Sequence, residues 1–242
     1  MSEAPMPQIN QLLAAAPAEV RQRVLPHLQT VHLSLGQVVY ESGDIRQYVY
    51  FPTDCIVSLL YVMEDGDSTE LSVVGREGIV GVSVFMGGES NPSRAVVQSA
   101  GPAYRLPAGR LKEEFNRDAD MRLLMLRYTQ ALITQMSQTA VCNRHHTIDQ
   151  QLCRWILLSM DRLPSNELSM TQELIGNMLG VRREGVTHAA RKLQDEKVME
   201  YTRGRITVLD RTKLEKLCCE CYAVVKKEYD RLIPDSAKNL SG

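Results

Sequence analysis

The chain has 242 residues, enough for one large domain or two modest ones. Its 44% hydrophobic and 24% charged residues suit a folded chain with an apolar core. The net charge of −1 excludes global basicity as a route to a polyanion, and no run of about 18 uncharged apolar residues is present to cross a membrane. Six cysteines over this length do not make a disulfide scaffold. The start, residues 1–7, carries Glu3 and no Lys or Arg, so no secretory signal is expected and the cytoplasm is the expected compartment.

Residues 8–30 read as helical. Ile9, Leu12, Leu13, Val20, Val24 and Leu28 recur at three- and four-residue steps, and Pro17 and Pro26 cut the run into short pieces. From Val31 the pattern changes to short β-branched or aromatic runs at 38–40, 48–51, 56–63, 70–74, 94–98 and 104–106, punctuated by glycines. Such spacing predicts an all-β sandwich or barrel over about 31–107. Beyond Arg110 glycine is absent until Gly176, and residues 121–141 form a long periodic run. Leu124, Tyr128, Ala131 or Leu132, Gln135 and Thr139 mark one face of it, while Leu123, Leu126, Ile133 and Met136 mark a second. A helix of about 25 residues is about 37 Å long, more than the β-module needs. Apolar residues on two sides leave two readings, a buried core helix or the seam of a homodimer. Residues 147–160 predict another amphipathic helix, and 164–166 a loop.

Residues 169–193 fit two short helices meeting at a tight corner. Leu174, Ile175 and Met178 or Leu179 supply the buried side of the first helix. Gly180 stands where the chain must reverse and positive φ is tolerated, and Val181 plugs the angle. The second helix buries Val186, Ala189 or Ala190, and Leu193. Its other face carries Arg182, Arg183, Glu184, Thr187, His188 and Arg191. Residues 198–209 then read as a hairpin with Arg203 and Arg205 flanking Gly204. Residues 182–205 hold seven Lys and Arg against four Asp and Glu. A helix-turn-helix with a basic outer face and an arginine-tipped wing predicts binding to the major groove of double-stranded DNA.

The order of these parts resembles the CRP/FNR (catabolite activator / fumarate-nitrate regulator) family of bacterial transcription factors. Gly36, Gly43 and Phe51-Pro52 match in the first half. Residues 77–81, followed by 93–96, look like the family's effector cassette, and Leu179-Gly180-Val181 with Arg183, Glu184, Val186 and Thr187 looks like its DNA-reading signature. The likeness covers residues from about 10 to 210. It implies an α+β chain with an N-terminal double-stranded β-helix, an eight-stranded jelly roll like a cyclic-nucleotide-binding domain, over 1–117. A long dimerisation helix over 118–146 and a C-terminal winged helix-turn-helix over 147–242 follow. It further implies a homodimer on a near-palindromic operator, in contact with RNA polymerase if it activates. Arg183 and Glu184 fall where the family reads base edges, and Thr171 and Gln172 where its first helix begins and meets phosphate. Thr187, His188, Arg182, Arg203 and Arg205 complete the implied DNA-binding set. The long helix would pair through Leu124, Tyr128, Ala131, Leu132 and Gln135. Three departures stand out: Arg182 replaces a small hydroxyl residue at the recognition-helix start, His188 stands where a basic residue is common, and Gly185 leaves a gap.

By the same resemblance, Gly81, Val82, Ser93, Arg94 and Tyr128 would face an effector. Cyclic-AMP-binding members place a Glu after the glycine and an Arg-Ser pair on the phosphate. Here Val82 follows Gly81, and Ser93 precedes Arg94. A valine cannot hold a ribose hydroxyl, so cyclic AMP in the usual pose is disfavoured; another cyclic nucleotide or a cyclic dinucleotide, or no effector at all, are the remaining readings. An iron–sulfur site at the N-terminus lacks its cysteines, since Cys55 stands alone. Cys218, Cys219 and Cys221 fall in one predicted helix, 211–232, where Cys219 points away from the other two. No neighbouring His completes a tetrahedral set in the sequence, so no metal is expected. Small buried residues packing a helix is one reading of the group, and redox sensing or metal binding the other. His145-His146 after Cys142 read as a polar hinge, with a haem or metal role as the other reading. His27 and His32 lack the ligand spacing of a jelly-roll metalloenzyme, and no enzyme is expected.

Overall fold

Asn10 anchors the first helix to the β-module. In the computed structural model, which describes residues 10–163 and 165–233, α1 (Gln11–Ala15) is capped by Asn10, whose Oδ1 accepts from Leu13 N at 3.0 Å. The Asn10 amide donates to Pro52 O at 2.9 Å and Gly78 O at 2.7 Å. Ile9, used in the helical reading, and Pro164, used in the loop reading, lie outside the described residues, as do 1–8 and 234–242. After α2 (Ala18–Val24) and a single turn at Leu25–His27, β1 (Gln29–Leu33) begins. The helical reading of 8–30 therefore overran into a strand. Only Leu33 of β1 is buried, so its alternation is too weak to read.

The strands β2 (Val38–Tyr40), β3 (Tyr48–Pro52), β4 (Ile56–Val62), β5 (Ser68–Val74), β6 (Arg94–Ser99) and β7 (Gly101–Pro107) complete the module, with α3 (Ser83–Met86) between β5 and β6. They form two antiparallel sheets, β1-β7-β3 and β2-β6-β4-β5. The eight strands implied by the resemblance are seven among the described residues, plus an isolated bridge between Tyr50 and Val80. Residues 56–60 of β4, which lies between β6 and β5 in its sheet, are buried without alternation.

After α4 (Ala108–Arg117), α5 (Ala119–His145) starts at Asp118, whose side chain accepts from Asp120 N and Met121 N. Its faces separate the two readings of the long helix. Leu124, Tyr128, Ala131, Leu132 and Gln135 are 0–5% exposed within their own chain, so the expected dimer seam is an internal face. Leu123, Leu126, Ile133 and Val141, 44–54% exposed, form the outward stripe. The register slipped because both faces carry apolar residues, and periodicity alone does not say which one the β-module takes.

The C-terminal half comprises α6 (Ile148–Met160), β8 (Glu167–Ser169), α7 (Gln172–Leu179), α8 (Arg183–Asp195), β9 (Met199–Thr202), β10 (Arg205–Val208), α9 (Arg211–Leu217) and α10 (Glu220–Leu232). A Thr147–Gln150 capping box starts α6. The single helix expected over 211–232 is broken: Cys218 and Cys219 are extended, at ψ 157 and 165.

The halves meet through buried polar groups. Arg162, just beyond α6, places Nε 2.8 Å from Glu77 Oε1 and donates to Leu158 O at 2.7 Å and to Gln135 Oε1 of α5. Gln135 in turn donates to Val73 O of β5 at 3.0 Å. A second chain runs from Glu70 to Ser58 (2.7 Å), Ser58 to Gln98 Oε1 (2.7 Å) and the Gln98 amide to Ser159 of α6 (3.2 Å). Ser58 has one hydroxyl proton for two acceptors, so a protonated Glu70 satisfies the chain that an ionised one leaves short. Burial pushes the Glu70 carboxyl up to about 7, with Ser58, Arg154 and Arg162 acting the other way. A carboxyl raised in the folded state contributes stability that is full below its unfolded pKa, near 4.5, and is lost as pH rises through about 7. Urea unfolding at pH 5 and pH 8 is therefore expected to show the native chain losing about 1–3 kcal/mol relative to Glu70→Gln across that interval. Parallel pH dependence of the two would show that the carboxyl is not the source.

Candidate nucleic-acid interface

Two glycines make the corner between α7 and α8. Gly180, at φ 64 and ψ 35, ends α7 in the left-handed region, as its position in the sequence suggests. No such signal marks Gly176, where a Cβ would stand 2.9 Å from Val181 O. Helix α7 buries Ile175, Met178 and Leu179 but leaves Leu174, expected inside, 38% exposed. The helix begins at Thr171, whose hydroxyl accepts from Leu174 N at 3.3 Å; Ser169 ends β8 and caps nothing.

Helix α8 buries Val186, Ala189, Ala190 and Leu193. Its exposed side carries Arg182, Arg183, Glu184, Thr187, His188 and Arg191. Arg182 occupies the N-cap without a side-chain cap bond. Thr187 is partly committed inside the motif, its hydroxyl donating to Gln172 Oε1 at 2.7 Å and so tying α8 to α7. Gly185 faces α6 rather than opening a gap toward a ligand, since a Cβ there would meet Ile148 Cδ1 at 2.8 Å.

The wing is a two-residue hairpin. Thr202 pairs with Arg205, and Arg203 (φ 51) and Gly204 (φ 79) both take the left-handed conformation that such a turn requires. Tyr201, absent from the sequence-based site, locks it: its hydroxyl donates to Met170 O at 2.7 Å and its N–H to Gln194 Oε1 at 2.8 Å. Arg205 lies 3.6 Å from Glu167 Oε2, whereas Arg203 at the tip makes no ion pair among the described residues. Between wing and corner opens a groove of about 370 Å³ lined by Thr171, Gln172, Glu173, Arg183, Tyr201 and Arg203. The N-terminus of α7 and two guanidinium groups border it, an arrangement that attracts an anion such as a phosphate.

The residues resembling an effector cassette are less convergent. Gly81 (φ 115) packs on β3, where a Cβ would meet Val49 Cγ1 at 3.0 Å, and Val82 is half-buried. Ser93 is buried and its hydroxyl donates to Asn91 Oδ1 at 2.9 Å. Arg94 stands at the half-exposed rim, Nε 3.1 Å from Glu41 Oε2. Tyr128 lies inside its own chain, not on a surface a second copy could reach. It is fully buried, its hydroxyl donates to Ile79 O at 3.2 Å, and a Cβ at Gly78 would collide with its ring.

A family model for the Crp-like helix-turn-helix domain matches residues 150–217, and one for the cyclic nucleotide-binding domain matches residues 30–118. The fold is similar to a transcriptional regulator of the Crp/Fnr family from Eubacterium rectale, with 19% identity over 85% of this chain and 96% of that one at a TM-score of 0.65. It is similar to FixK2 from Bradyrhizobium japonicum, with 17% identity over 79% and 98% at 0.68. The c-di-GMP responsive global regulator CLP from Xanthomonas campestris shows 16% identity over 79% and 99% at 0.62. No curated protein sequence matches the chain. At the corner a side chain in place of Gly176 would meet backbone rather than a movable side chain. Gly176→Val is expected to destabilise the C-terminal half by about 1–3 kcal/mol through overpacking against the Val181 carbonyl, read by chemical unfolding; unchanged stability would show that the corner has room.

Proposed function

Since the chain belongs to the CRP/FNR family of transcriptional regulators, with a helix-turn-helix DNA-binding domain, we propose that it acts as a homodimer on a near-palindromic operator. The observation that carries this reading is the exposed face of α8 beside the α7–wing groove. Arg183 has the bidentate geometry for guanine O6 and N7, Glu184 accepts from cytosine N4, and each good pair discriminates by about 1–3 kcal/mol. Arg182, His188 and Arg191 flank them. Thr171, Gln172 and Arg203 border the groove that receives a backbone phosphate. Arg205 reaches phosphate by exchanging its exposed partner Glu167.

The homodimer is supported by the outward stripe of α5. Leu123, Leu126, Ile133 and Val141 fall within roughly 80° of arc at 100° per residue, the seam two such helices need. A near-palindromic operator requires the two α8 helices of such a pair about 34 Å apart, on successive major grooves.

An effector of the cyclic-dinucleotide class, such as the c-di-GMP to which the Xanthomonas regulator responds, would meet Arg94 only by displacing Glu41. The Ser93–Asn91 and Arg94–Glu41 pairs favour the second reading, a regulator that binds DNA without an effector in this module.

With an operator selected from random DNA, Arg183→Ala is expected to lose site preference while the dimer persists; undiminished discrimination would remove Arg183 from base reading. Arg203→Ala is expected to weaken binding to all sequences and to lower the slope of log K against log salt by about one. Ile133→Glu is expected to yield monomers by analytical ultracentrifugation and to lose operator affinity. A stable dimer in that variant would place the seam elsewhere.

A further inference from the structure

Four side chains that DNA binding does not use converge where the long helix meets the C-terminal half. Cys142 and His146 stand four residues apart at the end of α5, and Cys219 and Cys221 stand at the break between α9 and α10. Their ligand atoms, three sulfurs and one ring nitrogen, all lie within 4.8 Å of one another. Cys142 Sγ is 3.6 Å from Cys219 Sγ, and Cys221 Sγ is 3.6 Å from His146 Nδ1. A tetrahedral zinc ion, with bonds of about 2.3 Å to sulfur and about 2.0 Å to nitrogen, separates neighbouring ligand atoms by about 3.5–3.8 Å. The Cys142–Cys219 and Cys221–His146 pairs stand at that spacing, and all four atoms lie within 4.8 Å of one another. The expectation that no histidine completes the set is overturned: His146 comes from another element, 73 positions before Cys219 in the sequence.

Three further observations point the same way. First, the three buried thiols form a cluster of their own, apart from the aliphatic core, so apolar packing is not what gathers them. Second, on an unbroken helix Cys219 and Cys221 would point roughly 200° apart. The extended backbone at Cys218 and Cys219 turns both toward Cys142, which accounts for the break. Third, His146 Nε2 lies 3.3 Å from Glu220 Oε2, the carboxylate partner that fixes a metal-binding tautomer with Nδ1 free for the ion. Gln151 holds the same turn, its amide donating to His146 O at 2.9 Å and Cys142 O at 3.4 Å. Buried Arg154 makes no ion pair among the described residues and faces this group electrostatically.

We propose that Cys142, His146, Cys219 and Cys221 form a closed zinc site that clamps the end of the long helix to the last helix of the DNA-binding half. Binding forms three Zn–S bonds and one Zn–N bond and releases three thiol protons to buffer, with no change of oxidation state. Four protein ligands leave no open position, so the ion is structural rather than catalytic. Three thiolates and a divalent ion leave one net negative charge, which the Arg154 guanidinium offsets. A cubane iron–sulfur cluster takes four cysteine thiolates, and this group offers three.

The test uses the full chain and readouts independent of DNA binding. Protein purified without chelator is expected to carry one zinc per chain by elemental analysis. Reduced, metal-stripped protein titrated with Co²⁺ is expected to develop the visible bands of tetrahedral cobalt and a thiolate charge-transfer band, saturating at one equivalent and abolished by zinc. The double variant Cys219→Ser/Cys221→Ser loses both signals, His146→Cys keeps them, and Cys55→Ala, in the β-module, keeps them. Glu220→Gln is expected to weaken zinc binding about 10- to 100-fold with the cobalt geometry unchanged. Should the serine variant fail to fold, the cobalt spectrum of the native chain decides alone. Octahedral or absent cobalt bands, metal retained by a folded double variant, or iron and sulfide in the purified protein would each overturn the site.

Discussion

The buried pair of Arg162 and Glu77 holds the two halves of the chain in register. Its side chains are 4% and 14% exposed; burial works against the guanidinium's charge, but the Glu77 carboxylate and its neighbours outweigh it and hold the pKa above the ordinary value. Desolvating such ions costs several kcal/mol each, and only close geometry with further hydrogen bonds offsets it. Arg162 has both, in Glu77, Leu158 O and Gln135. Gly75 is what lets the loop come so near, since a Cβ there would stand 2.5 Å from Arg162 Cβ. Loss of one partner alone would leave a buried charge at a cost of about 3–5 kcal/mol. The joint is therefore made or broken as a unit, the behaviour expected of an element with two discrete arrangements.

That joint explains the unusual burial around it. Residues 56–60 of β4 are buried on both faces, and the groups brought inside between the β-module and the C-terminal half are polar ones that must find each other. Glu70, Ser58, Gln98 and Ser159 do so in one chain crossing from β-module to α6. An apolar seam of the same area would hold without regard to pH or to the positions of individual atoms. A seam of hydrogen-bonded carboxylates and guanidinium groups releases when a few contacts are lost. None of these groups belongs to the exposed face of α8, so the joint orients that face without covering it.

What was legible in the sequence was what local chemistry alone decides. The buried and exposed faces of α8 follow from Val186, Ala189, Ala190 and Leu193 at helical spacing, and Gly180 marks a left-handed corner. The strands with strong β-branched runs are legible for the same reason. What was not legible depends on partners remote in sequence. Tyr128 and Gln135 read as seam or ligand residues until the β-module is placed against them. Gly176 and Gly185 look like ordinary glycines until Val181 O and Ile148 stand beside them. The helix at 211–232 reads as continuous because nothing in its propensity requires a break. The break brings Cys219 and Cys221 to Cys142 and His146, on another element.

The long helix is thus gripped by the DNA-binding half at two levels. Gln135 holds Arg162, and Cys142 with His146 faces Cys219 and Cys221, seven to eleven residues further on, or about 10–16 Å along the axis. One point of attachment would leave the C-terminal half free to pivot, whereas two points on one axis confine it to rotation about that axis or to none. The first attachment is a buried ion pair that also includes the β-module through Glu77, and the second involves α5 alone. Breaking the first while keeping the second would free the C-terminal half from the β-module but not from α5. In the proposed homodimer, with its seam on the outward stripe of α5, the α8 helices would then move relative to the β-modules while their mutual spacing, set by the two long helices, stays fixed.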